Sequence, residues 1–274
     1  MKRFFPILLI GFMTIAHSSE NTTLRAEQLF GPNKAKDLSL GADFDLNDET
    51  SLSFDYFQSK DDGTSHTYRL GADSDLDSFK SISGEFSYSK DSDNLKGLGL
   101  DFGLDLALNE LWDQEKSTDL GFSFASTNYS KEEKDGTTTD KTNYYQFRLG
   151  IDLEQELISN LYISAGARTY FYKDNSETLT QVTRNRTTSA PFSATDSSTD
   201  KKLIAGLRFH PENWPSLSYT FNYISYKDKS KTKENDVTLS YRIKKLKIGI
   251  AYQNIKPNDS ETEHWIGPKI SFKF

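Results

Sequence analysis

Trp265-Ile266-Gly267-Pro268-Lys269-Ile270-Ser271-Phe272-Lys273-Phe274 closes the chain. Ile266, Pro268, Ile270, Phe272 and Phe274 fall on one side of an extended strand, and Gly267, Lys269, Ser271 and Lys273 on the other. A period of two with one wholly apolar face marks a β-strand that hides one side from water. Here the pattern runs into the terminal carboxylate, where chains ordinarily fray. A sheet closed into a barrel accounts for it, because the last strand then pairs with the first and shares its outer coat.

The same alternation fills the chain. Leu38, Leu40, Ala42, Phe44 and Leu46 share a face; after a turn at Asn47-Asp48-Glu49, Leu52, Phe54 and Tyr56 continue it. Leu40-Gly41-Ala42-Asp43-Phe44-Asp45-Leu46 recurs at 70–76 and loosely at 100–106. A step of about 30 residues holds two strands and two connections, as in an up-and-down meander. Thirteen such strands are clear, and 21–30 is a weaker candidate whose apolar face holds Leu24, Ala26, Gln28 and Phe30. The fold expected is all-β: a transmembrane antiparallel barrel of about fourteen strands, with twelve as the alternative.

Met1-Lys2-Arg3, an apolar run over 4–16 and Ala16-His17-Ser18-Ser19 resemble a secretory signal. The run is shorter than the roughly 20 residues a membrane-spanning helix needs. Residues 1–19 are therefore expected to be a cleaved signal, and 20–274 one barrel domain. With mean hydropathy −0.66 and no other long apolar run, a membrane home requires a barrel. The absence of cysteine excludes disulfides and thiolate metal sites. A formal charge of −7, more negative still without Lys2 and Arg3, argues against nucleic acid as a partner.

The ending resembles that of Gram-negative outer-membrane β-barrel proteins, which commonly finish on Phe after alternating apolar residues. Their terminal signal often carries Gly at the place of Lys269; here the glycine is Gly267. The resemblance implies export through the periplasm to the outer membrane. It also implies recognition of the last strand by the barrel assembly machinery, and contact with outer-membrane lipids and lipopolysaccharide. In length the chain is similar to the mid-sized monomeric porins.

Loop lengths agree with that topology. Inner turns are expected at 47–49, 77–79, 109–117, 154–160, 211–215 and 244–246, and longer outer loops at 31–36, 61–64, 90–96, 131–141, 173–200, 227–234 and 256–263. Two aromatic belts are expected: Tyr56, Tyr68, Tyr88, Tyr145, Phe171, Tyr223, Tyr252 and Trp265 near the outer strand ends, and Phe209, Trp214, Phe272 and Phe274 among those near the inner ends.

The polar face carries the chemistry. Asp43, Asp45, Asp55, Asp73, Asp75, Glu85, Asp101 and Asp105 form an acidic wall, and Arg148, Arg168, Lys202, Arg208, Arg242 and Lys269 a basic one. In a meander these halves become opposite walls. Turned inside out, such a barrel would bury about twenty charges at several kcal/mol each. A wet lumen has two readings: a pore with a transverse field that passes small hydrophilic solutes, or a plug of salt bridges reaching across. About fourteen strands, between the filled eight and the open sixteen, favour a narrow pore. The many glycines on this face free space, or let Tyr144, Tyr162, Tyr170 and Tyr172 pack over them.

Asp43/Asp45 and Asp73/Asp75 read as a cation-attracting vestibule rather than a fixed metal site. His66, His210 and His264 lack the spacing of a catalytic motif. No enzyme and no cofactor is expected; a structural or adhesive barrel working through its surface loops is the main alternative, an outer-membrane hydrolase a lesser one. The long loop 173–200 reads as a segment folded over the mouth or as a plain surface loop, and the basic 227–233 as a contact for lipopolysaccharide phosphates or as a solvated tip.

Overall fold

A computed structural model describes residues 21–60, 63–92, 94–112, 115–135, 138–173, 199–211, 214–257 and 261–274. The expected signal at 1–19 and most of the loop 173–200 lie outside the described residues.

Fourteen antiparallel strands close into one barrel, each bonded to its sequence neighbours. They are β1 (Asn21–Phe30), β2 (Lys36–Asp45), β3 (Thr50–Lys60), β4 (Thr64–Asp77), β5 (Lys80–Asp91), β6 (Leu95–Ala107), β7 (Thr118–Asp135), β8 (Thr138–Ile158), β9 (Leu161–Lys173), β10 (Thr199–Phe209), β11 (Ser216–Tyr226), β12 (Lys231–Ile243), β13 (Leu246–Pro257) and β14 (Glu263–Lys273). A single helical turn, α1 (Leu108–Trp112), joins β6 to β7.

The weak segment 21–30 is a complete strand, so the count is fourteen, not twelve. It closes the barrel against β14, with Leu24 opposite Phe272, Ala26 opposite Ile270 and Phe30 opposite Ile266. The Phe274 N–H adds a bond of 2.8 Å to the Thr22 carbonyl. Around the ring the register climbs by about 14 residues, which tilts the strands by about 35° and gives a backbone cylinder about 25 Å across.

Both termini lie at one rim, here the terminal rim; the other is the loop rim. Turns at the terminal rim are tight: Asn160 and Lys244 take left-handed φ of 68° and 56° in the β8–β9 and β12–β13 hairpins. At the loop rim two expectations fail. The stretch 131–141 is strand over most of its length, because β7 and β8 run on to Asp135 and Thr138. These strands of 18 and 21 residues exceed the 9–11 that span a bilayer, so their hairpin stands clear of it. Likewise Lys231 begins β12, and the basic loop shrinks to 227–230.

The apolar stripe faces outward. Leu70, Phe102, Ile250 and Ile266 are each more than half exposed, an arrangement that only hydrocarbon around the barrel makes favourable. One aromatic leaves this face. Trp265 shares the inward parity of Gly267 and Lys269 and has no exposed surface. It belongs to the interior and not to the outer belt.

Candidate channel lining

Every residue of both walls stands on an inward position. The acidic set occupies the contiguous arc β2–β6, and the basic set lies on β8, β9, β10, β12 and β14. The ion pairs run along the wall and not across the bore. Arg25 binds Asp43 at 2.7 Å and Asp55 at 3.2 Å. Arg69 meets Glu85 at 3.6 Å, Arg168 meets Asp152 at 3.6 Å, and Lys269 meets Glu27 at 2.9 Å. Arg148 donates to Asp101 and Arg208 to Glu154, each over one intervening strand. All join strands one or two apart, so none of these pairs builds the plug of the alternative reading. These pairs are part-buried and open to water on the bore side; exposed ion pairs add about 0–1 kcal/mol each, and what these do is fix where donors and acceptors face the bore.

Arg25 and Glu27 on β1 and Glu154 on β8 complete these pairs and were missed in the wall assignment. Alternation assigns a residue to the inner face but not its neighbour across the ladder, and β1 alternates too irregularly to invite the reading.

The glycines have a repeated role. Gly71 sits opposite Ser53, Gly99 opposite Ser87, Gly103 opposite Ser83, Gly150 opposite Ser123 and Gly206 opposite Ser164. Gly121, Gly166 and Gly41 face Asp105, Asp152 and Asp55 in the same way. A Cβ on any of them would meet its partner's side-chain oxygen first. Each hydroxyl or carboxylate thus lies sideways across a glycine instead of rising into the bore. Of the two readings of these glycines, the packing of Tyr144, Tyr162, Tyr170 and Tyr172 over them gives way to these shorter partners.

The inner surface changes with depth. Toward the terminal rim it is charged. Asp45, Asp48, Glu49, Asp73 and Asp75 line a depression of about 320 Å³ at that mouth. On its other side, burial first and then Lys247, Arg208 and Arg242 push the His210 imidazole below its ordinary value, so the mouth is acidic on one flank and basic on the other. Toward the loop rim apolar side chains join buried polar ones such as Asp37, Lys202 and Glu234 on the inward stripe, a departure from the expectation of a polar lumen throughout. Leu29, Ala35, Ala251, Ile255 and Trp265 form one buried cluster, and Leu95, Tyr129 and Tyr144 another. The indole of Trp265 lies where a side chain on Gly31 would be. Arg69 stacks over Phe57 with its guanidinium carbon 4.9 Å from the ring centre. At mid-depth a cavity of about 300 Å³ is bordered by Arg69, Arg148 and Arg168 with Asp73, Glu85, Asp101, Asp105 and Asp152.

The two histidines near the loop rim are on the outward face. His66 Nδ1 is 2.9 Å from the Tyr56 hydroxyl, and His264 Nδ1 is 2.8 Å from that of Tyr252. Each ring also stacks on its tyrosine, with centroids 6.0 and 6.1 Å apart. Tyrosine–histidine pairs on the wall's outer surface are interfacial packing.

No family model matches the sequence, and no curated protein does. Among solved structures, the fold is similar to a deletion mutant of TodX, a monoaromatic hydrocarbon channel, with TM-score 0.57 and 10% identity over 92% of this chain and 89% of that one. It is similar also to TbuX, a toluene transporter of Ralstonia pickettii, with TM-score 0.54 and 9% identity over 92% and 88%. The NanC porin reaches a TM-score of 0.48 at 10% identity over 92% of this chain and 100% of that one. At such identities the first two likenesses are of fold alone.

Proposed function

We propose that the barrel is a Gram-negative outer-membrane channel for passive diffusion of small hydrophilic solutes. The observation that carries this is the sidedness of the wall: an aliphatic coat outside, and inside a glycine–serine surface studded with ion pairs around a 300 Å³ cavity. Charges held in place on a wet inner face offer a solute substitutes for hydration water. The names of TodX and TbuX speak of aromatic hydrocarbons; the charged mid-depth of this bore speaks for polar cargo. A hydrolase is the weaker reading, since His66 and His264 bond to tyrosines on the outer face.

The decisive measurement is conductance. The folded protein in a planar bilayer is expected to give discrete open steps, and proteoliposomes are expected to swell in small sugars and not in large ones. Stable insertion with no steps would sink the channel and favour a structural or adhesive barrel.

The loop rim supports a reading of orientation and lipid partners. Lys36, Lys60, Lys90, Lys96, Lys233 and Lys256 stand on outward positions there, just beyond the tyrosine belt. Such a ring fits the phosphates of lipopolysaccharide, at about 1 kcal/mol per lysine near an anionic surface. Lipopolysaccharide added in detergent is expected to raise the unfolding temperature, and replacing Lys36, Lys60, Lys90 and Lys96 by Gln to remove most of that rise. An undiminished rise would locate the lipid contact elsewhere. The last strand is proposed as the segment handed to the assembly machinery.

A further inference from the structure

A channel with this bore need not use all of it. The inner surface has two unlike halves. On the β10–β13 side five inward side chains are withdrawn from water: Lys202, Asn222, Ser240, Ala251 and Gln253 are each less than a tenth exposed. On the β3–β7 side the wall is low. Ser53 and Ser83 lie over Gly71 and Gly103, and Asp105 over Gly121. The 300 Å³ cavity lies against this half.

Its charges do not balance. Arg69, Arg148 and Arg168 each pair with one carboxylate, Glu85, Asp101 and Asp152 respectively. Asp73 and Asp105 remain as the surplus among the charged residues lining the cavity.

Resting on the channel reading, we infer that solute passes along an eccentric corridor against the β3–β7 wall and not along the barrel axis. The corridor favours hydrated cations and neutral hydroxyl-bearing solutes over anions. Serine hydroxyls both donate and accept, so they can replace water around a polyol or a hydrated ion. The surplus carboxylates act on any ion within the screening length, about 8 Å in physiological salt, so an ion crossing the cavity they line feels them.

The chain has no cysteine, so single thiols can be placed on a silent background. Ser53→Cys, Ser83→Cys and, on the packed half, Ser240→Cys are treated with methanethiosulfonates during bilayer recording. Trimethylammonium-ethyl and sulfonato-ethyl reagents compare the two charges. Labelling at 53 or 83 is expected to lower conductance at least twofold, with the ratio of cationic to anionic reaction rates about tenfold higher than that of a free thiol in solution. Labelling at 240 is expected to leave conductance unchanged. A conductance fall at 240 with none at 53 and 83 overturns the corridor. A rate ratio no higher than that of the free thiol overturns its charge preference. A wild-type barrel that inserts and never conducts overturns the channel reading itself, and is told apart from the other two results before any thiol is introduced.

Discussion

Gly267→Val is expected to leave the barrel unable to close. A Cβ at this position would run into the Gln28 carbonyl and come within 2.9 Å of the Leu29 Cα. These are main-chain atoms of β1, so no rotamer change relieves the clash. The neighbouring Pro268 has no N–H to give, and the β1–β14 register passes from Glu27 opposite Lys269 to Phe30 opposite Ile266 across this point. Valine suits strands elsewhere, which makes the substitution a test of the seam and not of propensity. Overpacking a fitted site costs about 1–3 kcal/mol. Here it also opens backbone bonds that face hydrocarbon, where no water replaces them. The variant is expected to lose the heat-dependent shift in gel mobility of a folded barrel, and the enclosed Trp265 to emit at longer wavelength. Gly103→Ala is the control: the added methyl meets only the Ser83 hydroxyl, which can rotate away. If both variants fold alike, the seam is looser than described.

Replacing Arg148, Arg168 and Arg208 together by Ser is expected to drive the pore strongly toward cations. Each guanidinium now neutralises one carboxylate of the wall: Asp101, Asp152 and Glu154 in turn. Their removal leaves three uncompensated negative charges beside the path. At about 6 Å in water one charge is worth about 0.7 kcal/mol to a passing ion, so three shift cation-over-anion preference by about tenfold or more. Reversal potentials in a salt gradient measure it, best at low ionic strength where screening is weak. An unchanged potential would mean that these side chains lie off the conducting route.

Much of this was legible in the chain because a barrel wall obeys one rule, period two, from end to end. Alternation alone assigns Leu70 outward and Asp73 inward. Where it was set aside the reading failed: Trp265 was placed in the aromatic belt by residue type, although it shares the parity of Gly267. The length of the β7–β8 hairpin was hidden for another reason. Beyond the bilayer neither face needs to be apolar, so hydropathy stops signalling while the backbone bonds continue. The ion-pair partners were beyond reach in principle, because Arg148 finds Asp101 through the register of three strands, not through spacing in sequence. The shift of glycine from 269 to 267, a departure from the familiar ending, acquires its reason only when β14 is seen pressed against the β1 backbone.

The glycine–serine rungs carry a consequence for descent. Exchange Gly103 with Ser83 and the bore keeps its width, its hydroxyl count and its hydration; only the strand that bears the oxygen changes. What selection weighs is the sum across a rung, and that sum is indifferent to which of two distant positions supplies which half. Two lineages can therefore trade residues rung by rung until no position agrees while the tube they enclose stays the same. Comparison one residue at a time is blind to such kinship, and a score that reads paired positions together is where it would first become visible.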